Sequence, residues 1–507
     1  MEKLILIGGE AGMGSALTSH LIGKIFCSLG YYVFNYKDYP SLIRGGHNFN
    51  VLKISNKKIF SHGSKYDIIL ALDQKTIDLH KKDLKKNGLI FGVKETEPIV
   101  QKLQGPKILA NDVLIGTLFK RFGVDLKILL HSAEKEFGKK SNLIAKAIKE
   151  GYKIGKKKEN LKKSKSKYFI SGNEGIAVGS LAAGLDIYLA YPMTPATPVL
   201  HFLAKRQLEN NILVFQPENE IATINSALGA SFSGARVMIG TSGGGFALMT
   251  EALSLSGMAE LPLVIYLSQR PAPSTGVPTY TAQGDLKFAL NAGQGEFPRI
   301  VVAPGDAQES IIRTQEAFYL SAKYRMPAII LGDKHLGESN YTFDQLSKSP
   351  LKAVSYPLDR ANSYEHDKAG FTTEDAKEVV KGHERRLRKE KIIAREVKKL
   401  NPIRVYGKGR NLIISHGSTK GAILDALPGL KNFRFLQISY LKPFPKEEVA
   451  REIKRSKKVI LVENSATGAL SGVIAEETGL IIKDKVLKYD ARPFTPDILI
   501  NQLKKYD

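Results

Sequence analysis

One cysteine, Cys27, and no tryptophan occur in 507 residues. A lone cysteine excludes an internal disulfide, and it excludes a cysteine-ligated zinc or iron–sulfur site built by this chain alone. Cys27 falls inside an apolar helical stretch, so it reads as a buried structural thiol. Long apolar runs are missing as well. None approaches the roughly 20 residues that span a bilayer. Met1-Glu2-Lys3 leads directly into an apolar strand, Leu4 to Ile7, without the extended apolar region and small-residue cleavage site of a signal peptide. The expectation is a cytoplasmic protein with no membrane association. Solenoid-type short repeats are also lacking.

Charge is abundant and of one sign. The formal net charge is +25, but the lysines are spread along the chain. They concentrate only in Lys156 to Lys167 and in a helical stretch from Arg385 to Lys391. No aromatic–basic interleaving or zinc-finger spacing accompanies them, which argues against nucleic acid and for a solvated basic surface facing an acidic partner.

The length suits about three domains, each with its own core. Residues 1–155 alternate strands (Leu4 to Ile7, Tyr31 to Asn35, Tyr66 to Leu72, Leu89 to Val93) with helices, as expected of a doubly wound α/β domain. Residues 156–167 read as a solvated basic linker. A second α/β domain is expected over 168–340, with strands at Val237 to Ile239, Leu263 to Leu267, Ile300 to Val302 and Ala328 to Leu331. A charged connecting segment fills 341–399. A third α/β domain covers 400–507, with strands at Asn411 to Ile414, Phe433 to Ile438 and Val459 to Val462.

Several loops carry chemistry. Gly8-Gly9-Glu10-Ala11-Gly12-Met13-Gly14 follows the first strand, but its G-G-x-x-G-x-G spacing departs from the dinucleotide fingerprint. The second strand also ends without the acidic residue that would hold a ribose. Strand-to-helix packing explains these glycines as well. Arg44, Gly45 and Gly46 could grip a phosphate or carboxylate or bridge two domains, and an interface role is preferred. Tyr191-Pro192-Met193-Thr194-Pro195 ends a strand with two nearly adjacent prolines, which stiffens the loop that presents Thr194. Glu220 opens a small-residue helix beside an apolar strand, where a carboxyl can share a proton with a ligand nitrogen. A first-turn residue favoured by the helix dipole is the alternative for Glu220 alone. Arg270 enters a proline-rich loop running to Thr279 and offers a planar, permanently charged donor for a carboxylate. A threonine, a glutamate and an arginine thus fall at strand ends on one sheet edge.

These motifs resemble the large subunit of the 2-oxoacid:ferredoxin oxidoreductases in which γ and α segments are fused. The resemblance rests on Gly172-Asn173-Glu174, Tyr191 to Pro195, Glu220 with its helix, the Arg270 to Thr279 loop and Glu365-His366-Asp367. It continues through His416 to Gly421, Pro443-Phe444-Pro445, Glu463-Asn464 and Arg492 to Pro496, with Ile43 to Asn48 resembling the γ segment. It implies a γ-type Rossmann-like domain, a thiamine diphosphate pyrimidine-type domain and a transketolase C-terminal-like domain. It also implies that thiamine diphosphate is shared with a β subunit that carries Mg²⁺ and a [4Fe–4S] cluster, with coenzyme A as cosubstrate and ferredoxin as electron acceptor. Glu220 would hydrogen-bond the pyrimidine N1′, with Tyr191 and Pro192 also on the cofactor. Thr194 and Arg270 would hold the 2-oxoacid, with Thr279 assisting, and no metal ligand is expected in this chain. Pyruvate, 2-oxoglutarate and broad-range substrates all remain open. The chain departs from the family at Gly244, where a proline is usual, and at Ser465 to Leu470, which lacks a glutamine after the glycine. A transketolase-type enzyme would need a diphosphate motif that is not seen here. A non-catalytic assembly paralogue would not need Thr194, Glu220 and Arg270. A free-standing dinucleotide protein would leave the second and third domains unexplained.

Overall fold

The computed structural model describes residues 1–40, 46–138, 141–347, 349–351, 353–357 and 362–506. The described residues form two compact units. One comprises Met1–Ile170, Ser339–Leu346 and Thr495–Asp497, and the other Ser171–Glu338, Ser347–Phe494 and Ile498–Asp507.

The first unit is built on a seven-stranded mixed sheet. Its order is Leu84–Phe91, Tyr66–Ala71, Glu2–Glu10, His47–Ser55, Tyr32–Asp38, Asn340–Phe343 and Tyr168–Ser171. The apolar start of Glu2–Glu10 pairs in parallel with Tyr66–Ala71 and antiparallel with His47–Ser55. That antiparallel pairing draws Gly8, Gly9 and Glu10 into the strand (Gly9 opposite Asn48), so the turn expected from Gly8 begins three residues later, at Ala11. Cys27 is buried in Ser15–Ser28, and burial pushes its thiol up to about 12, as suits a structural residue.

Lys156 to Lys167 is mostly exposed, but it is not a free tether. Backbone amides of Lys158 and Glu159 donate to the Arg121 carbonyl, and those of Ser164 and Lys167 to Leu29 and Cys27. Most of the charges face water, Lys167 pairing instead with Asp344, while the backbone is tied down so that its polar groups are satisfied.

The second unit holds two sheets. The first is ordered Tyr440–Lys442, Ile300–Val302, Pro327–Asp333, Leu263–Gln269, Val237–Thr241, Ile187–Leu189, Leu213–Phe215. All its neighbours are parallel except Tyr440–Lys442, which joins antiparallel at one edge. Leu263–Gln269 and Pro327–Asp333 are buried along their whole length, as expected of parallel strands covered on both faces. The other sheet has five strands, ordered Ile403–Gly407, Phe433–Ile438, Asn411–Ser415, Lys458–Glu463, Asp484–Leu487. One apolar cluster runs from Ile239 and Ile265 through to Leu412 and Leu436, so the two sheets share a core. The basic helix Ala376–Val397 lies in this unit, where Arg385 and Lys389 pair with the buried Glu260.

Candidate active site

Three adjacent parallel strands, Ile187–Leu189, Val237–Thr241 and Leu263–Gln269, end together at one edge of the larger sheet of the second unit. That edge, beyond the carboxyl ends, is where open α/β sheets bind ligands. Each strand feeds one loop of the site.

The first loop is Tyr191 to Pro195. Its backbone turns tightly, with Ala196 N donating to Met193 O at 2.8 Å. Asn173, fully buried near the start of the helix Gly172–Ala182, donates from Nδ2 to the Pro195 carbonyl at 3.1 Å and accepts from Tyr266 Oη at 2.8 Å. Asn173 thereby clamps the loop to the sheet. Arg270 Nη1 donates to the Thr194 carbonyl at 2.9 Å, joining the first loop to the third. Tyr191 and Pro192 are exposed.

The second loop is Thr241-Ser242-Gly243-Gly244-Gly245. Glu220 is 6% exposed and opens the helix Glu220–Phe232, which Asn219 caps by accepting from Ala222 N at 2.8 Å. Capping by Asn219 leaves the Glu220 carboxylate free of that task. It lies against the glycine turn instead. A Cβ on Gly245 would stand 2.9 Å from Glu220 Oε1 and 2.2 Å from Thr241 Oγ1, so only glycine fits there. Gly244 faces open space, with the Ser274 carbonyl at 3.8 Å and Met193 Cε at 4.0 Å from a built Cβ. All three loops therefore meet around Gly244.

The third loop runs from Arg270 to Thr279. Arg270 is 8% exposed and Thr279 6% exposed. Burial lowers the Arg270 guanidinium from its ordinary value, and the neighbouring Asp285 carboxyl opposes this. Asp285 is pushed up to about 6 by burial, against the pull of Arg270. Its Oδ2 would stand 2.5 Å from a Cβ on Gly243.

Among the described residues, four buried atoms of these loops and of Asp285 have no partner: Ser242 Oγ, Arg270 Nε, Thr279 Oγ1 and Asp285 Oδ2. Unpartnered buried polar atoms occur elsewhere in the protein as well, at His416 and Arg434 for example, and each orphan costs about 1–3 kcal/mol. Such atoms on the loops of one strand edge fit a polar ligand that carries both donors and acceptors. The residues present thus suit one side of a heterocyclic cofactor and a carboxylate substrate.

The structure brings Thr194 and Arg270 into direct contact and sets Glu220 on the turn they face. Of the other positions singled out in the sequence, Arg44 and Gly45 lie outside the described residues. Gly46 belongs to the first unit, where its carbonyl accepts from Ala11 N at 2.9 Å. Asn173, Ser242, Gly243 and Asp285 were not singled out as site residues. Asn173 and the glycines stand in visible motifs, but nothing local marks Asp285.

The fold and this strand-edge site define the class of open parallel α/β proteins that bind ligands at a sheet edge. A family model described as "Pyruvate flavodoxin/ferredoxin oxidoreductase, thiamine diP-bdg" matches residues 178–397, and one described as "Pyruvate ferredoxin/flavodoxin oxidoreductase" matches residues 4–154. The 2-oxoacid:ferredoxin oxidoreductase subunit alpha of a Sulfolobus species is 30% identical, over 99% of this chain and 96% of that one. The 2-oxoglutarate synthase subunit KorA of Archaeoglobus fulgidus is 31% identical, over 59% of this chain and 88% of its own. A solved structure, 2-oxoglutarate:ferredoxin oxidoreductase from Magnetococcus marinus with 2-oxoglutarate, coenzyme A and succinyl-CoA bound, superposes with a TM-score of 0.88. It is 26% identical and covers 99% of both chains. This chain belongs to the family of 2-oxoacid:ferredoxin oxidoreductase alpha subunits. Among the described residues no helix is long and apolar enough to cross a membrane, and no group of three or more His, Cys, Asp or Glu side chains could hold a metal ion.

Proposed function

We propose that the chain, with γ and α segments fused, forms with a β subunit a cytoplasmic enzyme that oxidatively decarboxylates a 2-oxoacid. The reaction converts the 2-oxoacid and coenzyme A to acyl-CoA, CO₂ and a proton, and a pair of electrons passes singly to ferredoxin. The substrate is 2-oxoglutarate, pyruvate or a broad range of 2-oxoacids. In this reading residues 1–155 are the γ-type domain, 168–340 the pyrimidine-type domain and 400–507 the transketolase C-terminal-like domain. The [4Fe–4S] cluster belongs to the partner, because one cysteine cannot ligate a cluster, and Mg²⁺ is assigned to the partner from the family resemblance.

The observation that carries the reading is the buried Glu220 carboxylate set against Gly245, among unpartnered donors at one strand edge. Thiamine diphosphate, when bound, supplies a nucleophilic carbon and a ring that accepts the electron pair released with CO₂. Glu220 holds a proton at the pyrimidine N1′, in a position fixed by the capped helix and the absence of a side chain at Gly245. Tyr191 and Pro192 border the cofactor. Arg270 receives the substrate carboxylate, with its guanidinium anchored on the Thr194 carbonyl. The Thr194 and Thr279 hydroxyls complete the polar wall. Arg44, Gly45 and Gly46 are assigned to an interface or coenzyme A contact.

The test is to purify the complex from native cells and assay coenzyme A-dependent viologen reduction across a panel of 2-oxoacids. Turnover is expected with at least one, and Glu220→Ala should abolish it in an assembled complex. Normal turnover in that variant would falsify the assignment of Glu220.

A further inference from the structure

In the five-stranded sheet of the second unit, Asn411–Ser415 has Phe433–Ile438 on one side and Lys458–Glu463 on the other, parallel to both. The strand order reverses there, so the crevice beyond the carboxyl ends of Asn411–Ser415 and Lys458–Glu463 is where an open α/β sheet takes a ligand. Here the chain fills it with its own Gln283, which is fully buried. Gln283 Nε2 donates at 3.0 Å to the carbonyl of His416, which follows Asn411–Ser415. Its Oε1 accepts at 2.9 Å from the amide of Asn464, which follows Lys458–Glu463. The Gln283 amide in turn donates to the Asn464 carbonyl at 2.7 Å. Gly417, at φ 60°, leaves the clearance: a Cβ there would stand 2.9 Å from Gln283 Nε2. Neighbouring residues are held as well. Thr281 Oγ1 donates to the buried Asp333 Oδ1 at 3.2 Å, and Thr281 N donates to the Ala491 carbonyl at 3.3 Å. The Arg492 guanidinium lies 3.6 Å from the centre of the Tyr280 ring.

This segment is the base of the Arg270 to Thr279 loop. Ala272 to Val277 are exposed, whereas Arg270 and Thr279 are buried at the two ends. Arg270 directly follows Leu263–Gln269, so the larger sheet fixes that end. Thr279 belongs to no strand, and the bonds of Thr281 and Gln283 hold its end. We propose that Gln283 is a positioning residue for the substrate pocket: it plugs the crevice of the five-stranded sheet and thereby sets Thr279 in place relative to Arg270. The inference rests on the reading of Arg270 and Thr279 as the wall that receives the 2-oxoacid. A loop anchored at one end alone lets the other drift, and a drift of about 1 Å is enough to weaken a positioned contact. The five-stranded sheet thus acts on the pocket at a distance, through one neutral side chain whose amide engages two strand ends.

The experiment uses the complex of this chain with its partner subunit and compares wild type, Gln283→Met and Arg492→Ala. Methionine keeps the length of the side chain and removes both of its amide bonds. Hydrogen exchange read by mass spectrometry reports the loop. Calorimetry with an isostere that is not decarboxylated reports substrate capture without turnover: oxamate for a pyruvate enzyme, N-oxalylglycine for a 2-oxoglutarate enzyme. Gln283→Met should speed exchange across residues 276–284 about tenfold, while Leu263–Gln269 keeps its wild-type protection. It should raise the KM for the 2-oxoacid and weaken isostere binding about tenfold, with kcat within about threefold and the KM for coenzyme A unchanged. Arg492→Ala loosens the same segment at Tyr280 and should move loop exchange, KM and isostere affinity the same way by about threefold. It carries the test should Gln283→Met not fold. Unchanged loop exchange in a folded variant overturns the anchoring, whatever the wild type turns over. Faster loop exchange with unchanged KM and isostere affinity overturns the positioning role alone, as does a loss confined to kcat. A wild-type complex that turns over no 2-oxoacid overturns the functional reading and the positioning role with it.

Discussion

The chain contains two glycine-rich strand-to-helix junctions that look alike as sequence and differ as structures, the first beginning inside its strand. In the first unit, a Cβ on Gly8 would meet Thr76 Cγ2 at 2.8 Å, one on Gly9 Leu72 Cβ at 2.8 Å, and one on Gly14 the Asn111 amide at 2.9 Å. Those glycines are filled from the other side by neutral side chains. In the second unit, Gly243 and Gly245 make room for the carboxylates of Asp285 and Glu220, and Gly244 faces open space. A glycine that admits a packing side chain serves the fold. A glycine that admits an unpaired acid beside an opening serves a ligand.

The sharpest way to break this contrast is Glu220→Ala. In an assembled complex we expect kcat to fall about 10²–10⁴-fold, the range for loss of a positioned proton-transfer group, with thermal stability unchanged. Gly245→Ala should come next. The new methyl displaces Glu220, so kcat should drop about 10–100-fold although every polar group of the site is retained. A change confined to stability in that variant would place this turn with the first one.

Gly9→Ala in the first unit should show the reverse: about 1–3 kcal/mol of lost stability from overpacking, with kcat preserved in the fraction that folds. Gly382→Ala refines the rule. Its Cβ would stand 2.4 Å from Glu365 Oε1, again a carboxylate, but Glu365 accepts from both Arg386 Nη1 (3.0 Å) and Nη2 (2.6 Å). That acid is satisfied within the protein. We expect a stability loss of about 1–3 kcal/mol and no kinetic effect.

The smallest effect is the cost of the unpaired acid itself. Asp285 has a folded-state value of about 6, above the ordinary 3.8. The folded chain holds the proton more tightly, so ionisation costs stability as pH rises through the window between those values. Asp285→Asn should therefore be more stable than wild type at pH 8, by about 1–2 kcal/mol after allowing for partial exposure, and should show little or no gain over wild type at pH 4. An equal gain at both pH values would remove the electrostatic explanation.

Much of the fold was legible because buried strands of a parallel sheet announce themselves as short apolar runs. Phe433–Ile438 and Ile300–Val302 were bounded as they stand, and Leu263–Gln269 was short by two residues. Ile403–Gly407 went unread because it pairs at an edge and is half exposed, so its apolar signal is diluted. His47–Ser55 was obscured by the preceding arginine and glycines, and by the polar His47, Asn48 and Asn50 at its start. The strands Asn340–Phe343 and Tyr440–Lys442 are only four and three residues long, and each gains its identity from a partner far away in sequence.

The site divides in the same way. Glu220, Thr194 and Arg270 could be picked out because proline, a helix start and a strand end leave local marks. Asn173 stood in a visible motif, but its hold on the Pro195 carbonyl spans 22 residues. Asp285 carried no mark, since an aspartate before a helix reads as a cap.

By itself the sequence determined the class of fold, the order of the strands that carry the site and the residue types able to do the chemistry, because backbone propensity and hydrophobic period act over a few residues. It also determined that one cysteine could not hold a cluster. Only the tertiary structure decided which glycines are packing and which are clearance, which acids are paired and which are left exposed to a ligand. Those distinctions depend on atoms brought within 3 Å from distant parts of the chain, and on the low dielectric that makes an unpaired charge costly there.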